Sequence, residues 1–241
     1  MRIKLTLTFD GSAFHGWQAQ KNALSVQKTV SDALSSLFKT ECGVTGCSRT
    51  DSGVHARRFV CHTDISRPFP VERIPAALNS MLPASVAALS AEQVPDSFHA
   101  RYSVKIKTYR YYILDRDQRS PLLEGRVCHW RRPLDENIFC DSCALFQGKK
   151  DFASFMAAGS DITDTVRTVY SCRGFRENGL LVLEIAADGF LYNMVRIIAG
   201  TLMEAASGRE LDVADAIASR DRSKAGFTAP PQGLYLWSVE Y

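Results

Sequence analysis

Alternation of apolar and polar residues predicts β-strands at both ends of the chain. Residues 3–9 alternate strictly and stop at Asp10-Gly11-Ser12, a pattern typical of a strand that runs into a turn. Residues 234–241 alternate in the same way and carry aromatic side chains on one face. The same signal predicts further strands at 59–63, 86–94 and 101–114.

Helical spacing and turn chemistry predict the elements between these strands. Ser25 is a suitable N-cap for a helix with one apolar stripe, formed by Val26, Val30, Ala33, Leu34, Leu37 and Phe38. Asn178-Gly179 between residues 165–175 and 180–187 predicts a β-hairpin. Further helices are expected at 71–81, 134–146 and 192–206. Because strands and helices mix without strict β-α-β alternation, we expect an α+β fold with a largely antiparallel sheet.

The chain is long enough for two small domains. Each half carries strand, helix and hairpin signals of similar size, although no repeat is visible residue by residue. We therefore expect two related modules, an N-terminal one at residues 1–98 and a C-terminal one at residues 99–241.

Composition and charge describe an ordinary globular protein. Of its 241 residues 46% are hydrophobic, and the formal net charge is only +3. The longest apolar runs, such as 180–185, are too short to cross a bilayer, and residues 1–7 lack the apolar block of a signal peptide. We expect a cytoplasmic protein with no membrane segment, and the odd number of cysteines, seven, indicates reduced thiols.

No motif indicates a metal or a nucleotide cofactor. Cys140 and Cys143 form a C-x-x-C, but no second pair accompanies them and they fall in a predicted helix. We interpret both cysteines as structural. H-E-x-x-H, P-loop and G-x-G-x-x-G patterns do not occur.

A single carboxylate, Asp51, lies in a turn of small residues among basic side chains. Positive neighbours favour the ionised form of an aspartate, so Asp51 is suited to attack a centre or to accept a proton. Arg49, Arg57 and Arg58 are expected to attract an anion such as nucleic acid. Thr-Asp-Ser-Gly is also good turn chemistry, and on pattern alone a structural role for Asp51 is the commoner outcome.

Positive charge is concentrated in residues 101–132. This stretch has nine Lys or Arg against three Asp or Glu, with Tyr102, Tyr109, Tyr111, Tyr112 and Trp130 interleaved. Aromatic rings beside cations suit an RNA surface, where rings stack on bases and cations meet phosphates. A solvated strand with aromatic core residues on its other face explains the pattern equally well.

Several segments resemble one family in order along the chain. Arg49-Thr50-Asp51-x-Gly53-Val54-His55-Ala56 is similar to the signature of the TruA family of tRNA pseudouridine synthases. The similarity continues through Phe9-Asp10-Gly11, Phe14-x-Gly16-Trp17-Gln18-x-Gln20, Ser25-Val26-Gln27, Phe98-His99-Ala100-Arg101, Lys107-x-Tyr109-Arg110-Tyr111, Asp151-Phe152-x-Ser154-Phe155, Phe190-Leu191-Tyr192-Asn193-Met194-Val195-Arg196 and Gly233-Leu234-Tyr235-Leu236. Ser48 and Ser52 stand where the family usually has Gly and Ala.

The resemblance implies an enzyme that detaches uracil from ribose in tRNA, rotates it and rejoins it through carbon. It implies no cofactor and no metal. Two pseudo-symmetric α+β modules would share an antiparallel sheet around an RNA-binding cleft, and the protein would act as a homodimer. The bacterial members modify uridines 38, 39 and 40 in the anticodon stem-loop.

The resemblance also assigns roles to residues. Asp51 would be the catalytic group, Arg196 would pair with that carboxylate, and Tyr109 would pack against the target base. Whether Asp51 attacks the sugar, attacks the base or removes a ribose proton is left open. The candidates for RNA contact are Arg49, His55, Arg57, Arg58, Lys105 and Lys107.

Two other functions remain possible at this point. One is a tRNA-binding protein or chaperone without catalysis; the presence of Asp51, Tyr109 and Arg196 together argues against it. The other is a hydrolase that uses Asp51 with His55 as base, but no partner carboxylate or set of metal ligands accompanies that pair.

Overall fold

Strands predicted from alternation form antiparallel pairs in both parts of the chain. The computed structural model describes residues 1–241, which divide into one unit of residues 1–105 with 236–241 and another of residues 106–235. Helices and largely antiparallel strands occur in each unit, so the predicted α+β class is confirmed. The predicted modules, 1–98 and 99–241, stay a prediction.

The first unit is built on a central strand with two antiparallel neighbours. Its strands are β1 (Arg2–Phe9), β2 (Thr45–Gly46), β3 (His55–Asp64) and β4 (Val86–Val94). β1 lies between β3 and β4, with Leu5 opposite Cys61 on one side and Ala91 on the other. Every second residue of β1, starting at Ile3, is buried, as the alternation predicts.

Two helices complete the first unit, α1 (Val26–Phe38) and α2 (Ile74–Asn79). Ser25 caps α1 as predicted, because its side chain accepts a hydrogen bond from the Lys28 amide. α2 is shorter than the predicted 71–81. A 3₁₀ turn occupies Val71–Arg73, and Pro75 in the first helical turn has no N–H to continue that turn as α-helix.

The second unit has a sheet in the order β5-β9-β8-β7. Its strands are β5 (Ile106–Asp115), β6 (Cys128–Trp130), β7 (Gly148–Asp151), β8 (Val166–Glu177) and β9 (Leu180–Ala187), with β6 pairing parallel to β5. The β8–β9 hairpin turns at Asn178 (φ 51°) and Gly179 (φ 77°), the two positive φ angles that its Asn-Gly sequence predicts.

Three helices belong to the second unit: α3 (Glu136–Ala144), α4 (Met194–Ala206) and α5 (Val213–Ser219). α4 is buried along most of its length, and a Cβ added at Gly200 would lie 1.9 Å from the Phe227 carbonyl oxygen. The sequence predicted α3 and α4, whereas α5 and the short strands β6 and β7 were missed. No helix is long and apolar enough to cross a membrane.

The predicted strand at 101–114 begins five residues late, at Ile106. Residues before it form a turn in which the Ser103 amide donates to the His99 carbonyl at 2.9 Å. The last strand, β10 (Leu234–Glu240), matches its prediction closely, and from Leu236 on it lies beside β3 in the first unit.

Candidate active site

Asp51 lies in the connection between β2 and β3, in the first unit. Its side chain is partly buried, between buried Thr50 and exposed Ser52. The Val54 amide donates to the Asp51 carbonyl at 3.2 Å, and Gly53 has a φ of 78°. The sequence therefore closes a tight turn directly before β3, as its Asp-Ser-Gly composition predicts.

A second segment, residues 14–17, braces this turn. The Trp17 amide donates to the Thr50 carbonyl at 3.1 Å, and the Gly53 amide donates to the Phe14 carbonyl at 3.3 Å. The Ser52 hydroxyl donates to the same Phe14 carbonyl at 3.3 Å. The serine that replaces the usual alanine of the family thus adds a bond to the brace.

Close approach of backbone to backbone makes glycine necessary in that brace. Gly16 has a φ of 87°, and a Cβ there would lie 2.5 Å from the Thr50 carbonyl oxygen. A Cβ at Gly11 would lie 2.0 Å from the Val54 carbonyl oxygen. Any side chain at either position would push the Asp51 turn out of place.

His55 is buried beneath the turn, with 1% of its surface exposed. Its Nδ1 accepts a hydrogen bond from the Gly11 amide at 3.0 Å and lies 3.2 Å from Asp10 Oδ1. These contacts fix the Asp10-Gly11 turn against the start of β3. The sequence offered His55 as an RNA contact, which stays a prediction; the structure shows that the side chain contacts residues inside the protein.

Three arginines next to the turn are exposed: Arg49, Arg57 and Arg58. The Arg57 guanidinium lies 4.1 Å from the centre of the Trp237 ring, which holds it in place by a cation–π contact. Lys105 is also exposed, and its amide donates to the Glu240 carbonyl at 2.9 Å.

Tyr109 lies in the second unit, in the middle of β5 opposite Ile185. Its side chain is 6% exposed, and the Phe190 ring meets it edge to face at 5.0 Å. Tyr109 is therefore a fixed ring rather than a mobile surface group. Lys107, two residues earlier on the same strand, is partly exposed.

Arg196 lies in the first turn of α4 and is held from two sides. Its Nε donates to the Ala229 carbonyl at 2.8 Å, and its Nη1 donates to Asn193 Oδ1 at 2.8 Å. Asn193, which precedes the helix, has a φ of 60°, a left-handed conformation that asparagine tolerates better than most residues. Sequence reasoning named Arg196 but not these two supports.

The cysteines of the predicted helix pack against the sheet. Cys140 Sγ donates to the Gly174 carbonyl at 3.2 Å, and a bond to Cys172 together with burial raises the pKa of the Cys143 thiol far above its usual value. Such thiols stay protonated at neutral pH. All seven cysteines are free, and no three His, Cys, Asp or Glu side chains converge as metal ligands.

Comparison with known proteins identifies the family. The model of a family described as tRNA pseudouridine synthase matches residues 6–103 and 143–241. A tRNA pseudouridine synthase A of Ruminiclostridium cellulolyticum is 43% identical over 243 residues, covering 100% of this chain and 99% of the relative. That of Halalkalibacterium halodurans is 44% identical over 236 residues, with 97% and 90% covered. The chain belongs to the tRNA pseudouridine synthases.

Family membership decides between the functions that the sequence left open. The chain is an isomerase that converts uridine to pseudouridine in tRNA, and a tRNA-binding protein without catalysis is not favoured. A relative from Bacillus pumilus with the same name, 40% identical over 245 residues, again matches along 100% of this chain.

Proposed function

We propose that the protein isomerises uridines 38, 39 and 40 in the anticodon stem-loop of tRNA and that Asp51 is its catalytic carboxylate. The observation that carries the assignment of Asp51 is the brace around it. Backbone bonds from residues 14–17 and a glycine that tolerates no Cβ hold this turn, which carries one carboxylate among exposed arginines. A fixed carboxylate beside positive charge suits a group that must act on a bound, polyanionic substrate.

The reaction is balanced without a co-reactant. The bond between uracil N1 and ribose C1′ breaks, the base rotates, and a bond between C5 and C1′ forms. The proton that leaves C5 is balanced by the proton that N1 gains. An ionised Asp51 can start this sequence by attack on the sugar, by attack on the base or by removing a ribose proton, and these three routes stay open.

We propose further roles for Tyr109 and Arg196, which lie in the second unit. We assign to Tyr109 the packing against the target base, supported by its buried ring, which the Phe190 ring contacts edge to face. We assign to Arg196 the counter-charge of the catalytic carboxylate, supported by the two bonds that orient its guanidinium. A guanidinium that is already oriented loses little rotamer entropy when it binds a carboxylate.

The proposed RNA surface uses the exposed or partly exposed cations Arg49, Arg57, Arg58, Lys105 and Lys107. His55 supports it from inside by holding the Asp10-Gly11 turn. We further infer that the enzyme works as a homodimer, as its family resemblance implies. We infer a cytoplasmic location from its tRNA substrate and its seven free cysteines.

Position-by-position mapping of pseudouridine tests the substrate assignment. The purified protein is incubated with unmodified tRNA transcripts that carry uridine at 38, 39 or 40, and with matched transcripts that carry cytidine there. We expect conversion only at these positions and none in the cytidine controls. Conversion elsewhere would overturn the assignment of the anticodon stem-loop, and no conversion at all would overturn the proposed activity.

A further inference from the structure

One aromatic side chain of the first unit is exposed to solvent and has no role in the proposed catalytic mechanism. Tyr102 is 78% exposed, on the turn formed by residues 98–103 before β5. Scattered apolar groups on a surface are ordinary. Tyr102 differs from such scattered groups because hydrogen bonds from several elements anchor the turn that carries it.

Three long-range bonds anchor the turn. The Ala100 amide donates to His62 Nδ1 on β3 at 3.1 Å, and the Tyr241 hydroxyl donates to the Ala100 carbonyl at 2.8 Å. From the start of β1, Arg2 Nη1 donates to the Phe98 carbonyl at 2.9 Å. Strands β1 and β3 and the last residue of the chain thus fix the backbone below Tyr102.

The turn also supports the Tyr102 ring directly. His99 Nδ1 accepts hydrogen bonds from the amides of Arg101 and Tyr102, each at 3.2 Å. The His99 ring lies 4.3 Å from the Tyr102 ring at an interplanar angle of 25°. One face of the phenol ring is therefore covered by imidazole, while 78% of the Tyr102 surface remains exposed.

The segment that carries this ring has no acidic residue after exposed Asp96. Residues 97–114 contain no Asp or Glu. The Arg101 guanidinium lies 5.9 Å from the centre of the Tyr102 ring, and exposed Lys105 follows in the same segment. A flat, open ring beside cations matches a nucleobase with its phosphate better than it matches an apolar protein surface.

We propose that Tyr102, backed by His99, is a stacking platform for an unpaired base of the bound tRNA, with Arg101 meeting the adjacent phosphate. The proposal rests on tRNA being the substrate and assigns a binding contact outside the catalytic group. Since the ring is already held in place, stacking on it costs little ordering entropy.

Equilibrium binding of tRNA to Tyr102 variants tests this platform. We expect Tyr102→Ala to weaken the Kd about tenfold, as loss of one base–aromatic stack does. Tyr102→Phe, which keeps the ring and loses only the hydroxyl, should bind as the wild type does. Tyr170→Ala is the matched control, because Tyr170 is also an exposed tyrosine, on β8.

Salt dependence separates stacking from charge. Stacking releases no counterions, so Tyr102→Ala should leave the slope of log Kd against log salt unchanged. Arg101→Gln should lower the magnitude of that slope by about 0.7–0.9, the value for one phosphate contact.

The proposal fails if Tyr102→Ala binds tRNA as tightly as the wild type, or if Tyr102→Phe or Tyr170→Ala weakens binding as much as Tyr102→Ala does. It also fails if Tyr102→Ala changes the sedimentation coefficient of the free protein, because the ring would then serve an interface between copies. Binding is measured without turnover, so these outcomes are independent of the pseudouridine mapping that tests the proposed function.

Discussion

At the scale of single residues, the site depends on glycines as much as on the carboxylate. The sequence predicts the Asp51 turn from its own composition and the family motif. It does not show why Gly16 is present, since the atoms that exclude a side chain there belong to Thr50, far along the chain. Likewise, the sequence shows His55 only as a basic residue and does not predict that it is buried and bonded to the Gly11 amide.

Replacing Gly16 should therefore disturb catalysis and stability together. Gly16→Ala places a Cβ 2.5 Å from the Thr50 carbonyl at a φ of 87°, whereas Gly159 has the same φ with nothing within 4 Å of its added Cβ. Gly159→Ala should lower the free energy of unfolding by about 1–2 kcal/mol through backbone strain alone. Gly16→Ala should cost about 1–3 kcal/mol more.

Urea unfolding and steady-state kinetics of the two variants measure this difference. Gly16→Ala should lower kcat at least tenfold, because a displaced carboxylate loses its alignment, and Gly159→Ala should leave kcat unchanged. Equal effects of the two substitutions on unfolding and kcat would contradict the role of the brace.

At the scale of elements, local patterns predicted what local forces determine. The α1 cap, the Asn-Gly hairpin and the alternation of β1 follow from neighbours in the sequence, and the structure confirms them. The predicted start of β5 was wrong because His62 on β3 and Tyr241 at the end of the chain hold residues 98–103 in a turn. A local sequence pattern cannot predict such long-range bonds. The short strands β6 and β7 were missed for the same reason, since they depend on pairing with other strands.

The contact between β3 and this turn predicts a pH dependence of stability. Burial, with the nearby charges of Arg2 and His99, lowers the pKa of His62 from its usual 6.5. The unfolded chain therefore takes up a proton near that pH while the folded protein does not. The stability from neutral His62 is present above about pH 6.5 and is lost as the pH falls toward the lower folded-state pKa.

Urea unfolding between about pH 7.5 and about pH 5.5 checks this sign. One such site changes the free energy of unfolding by at most about 1.4 kcal/mol per pH unit. His62→Asn, which keeps an acceptor in place of Nδ1, should flatten the wild-type slope in this range. His15→Asn, at an exposed histidine, should keep it. An unchanged slope in His62→Asn would assign the pH dependence to other groups.

At the scale of the whole molecule, family membership and fold class were predictable because motifs run in order through the entire chain. The sequence did not predict that residues 236–241 return to the first unit, because their position depends on pairing with the distant strand β3. The net charge of +3 would not identify an RNA enzyme. The local excess of cations beside fixed aromatic rings indicates RNA binding where the net charge does not.

The central claim is that the Asp51 carboxylate performs the isomerisation. Single-turnover conversion of tRNA by Asp51→Asn and Asp51→Ala, with enzyme in excess, tests it most directly. Asparagine keeps the shape of the side chain and removes its charge, so both variants should bind tRNA with a Kd near that of the wild type. Both should form pseudouridine at a rate lower by about a thousandfold or more. Conversion by either variant at the wild-type rate would contradict the assignment of Asp51.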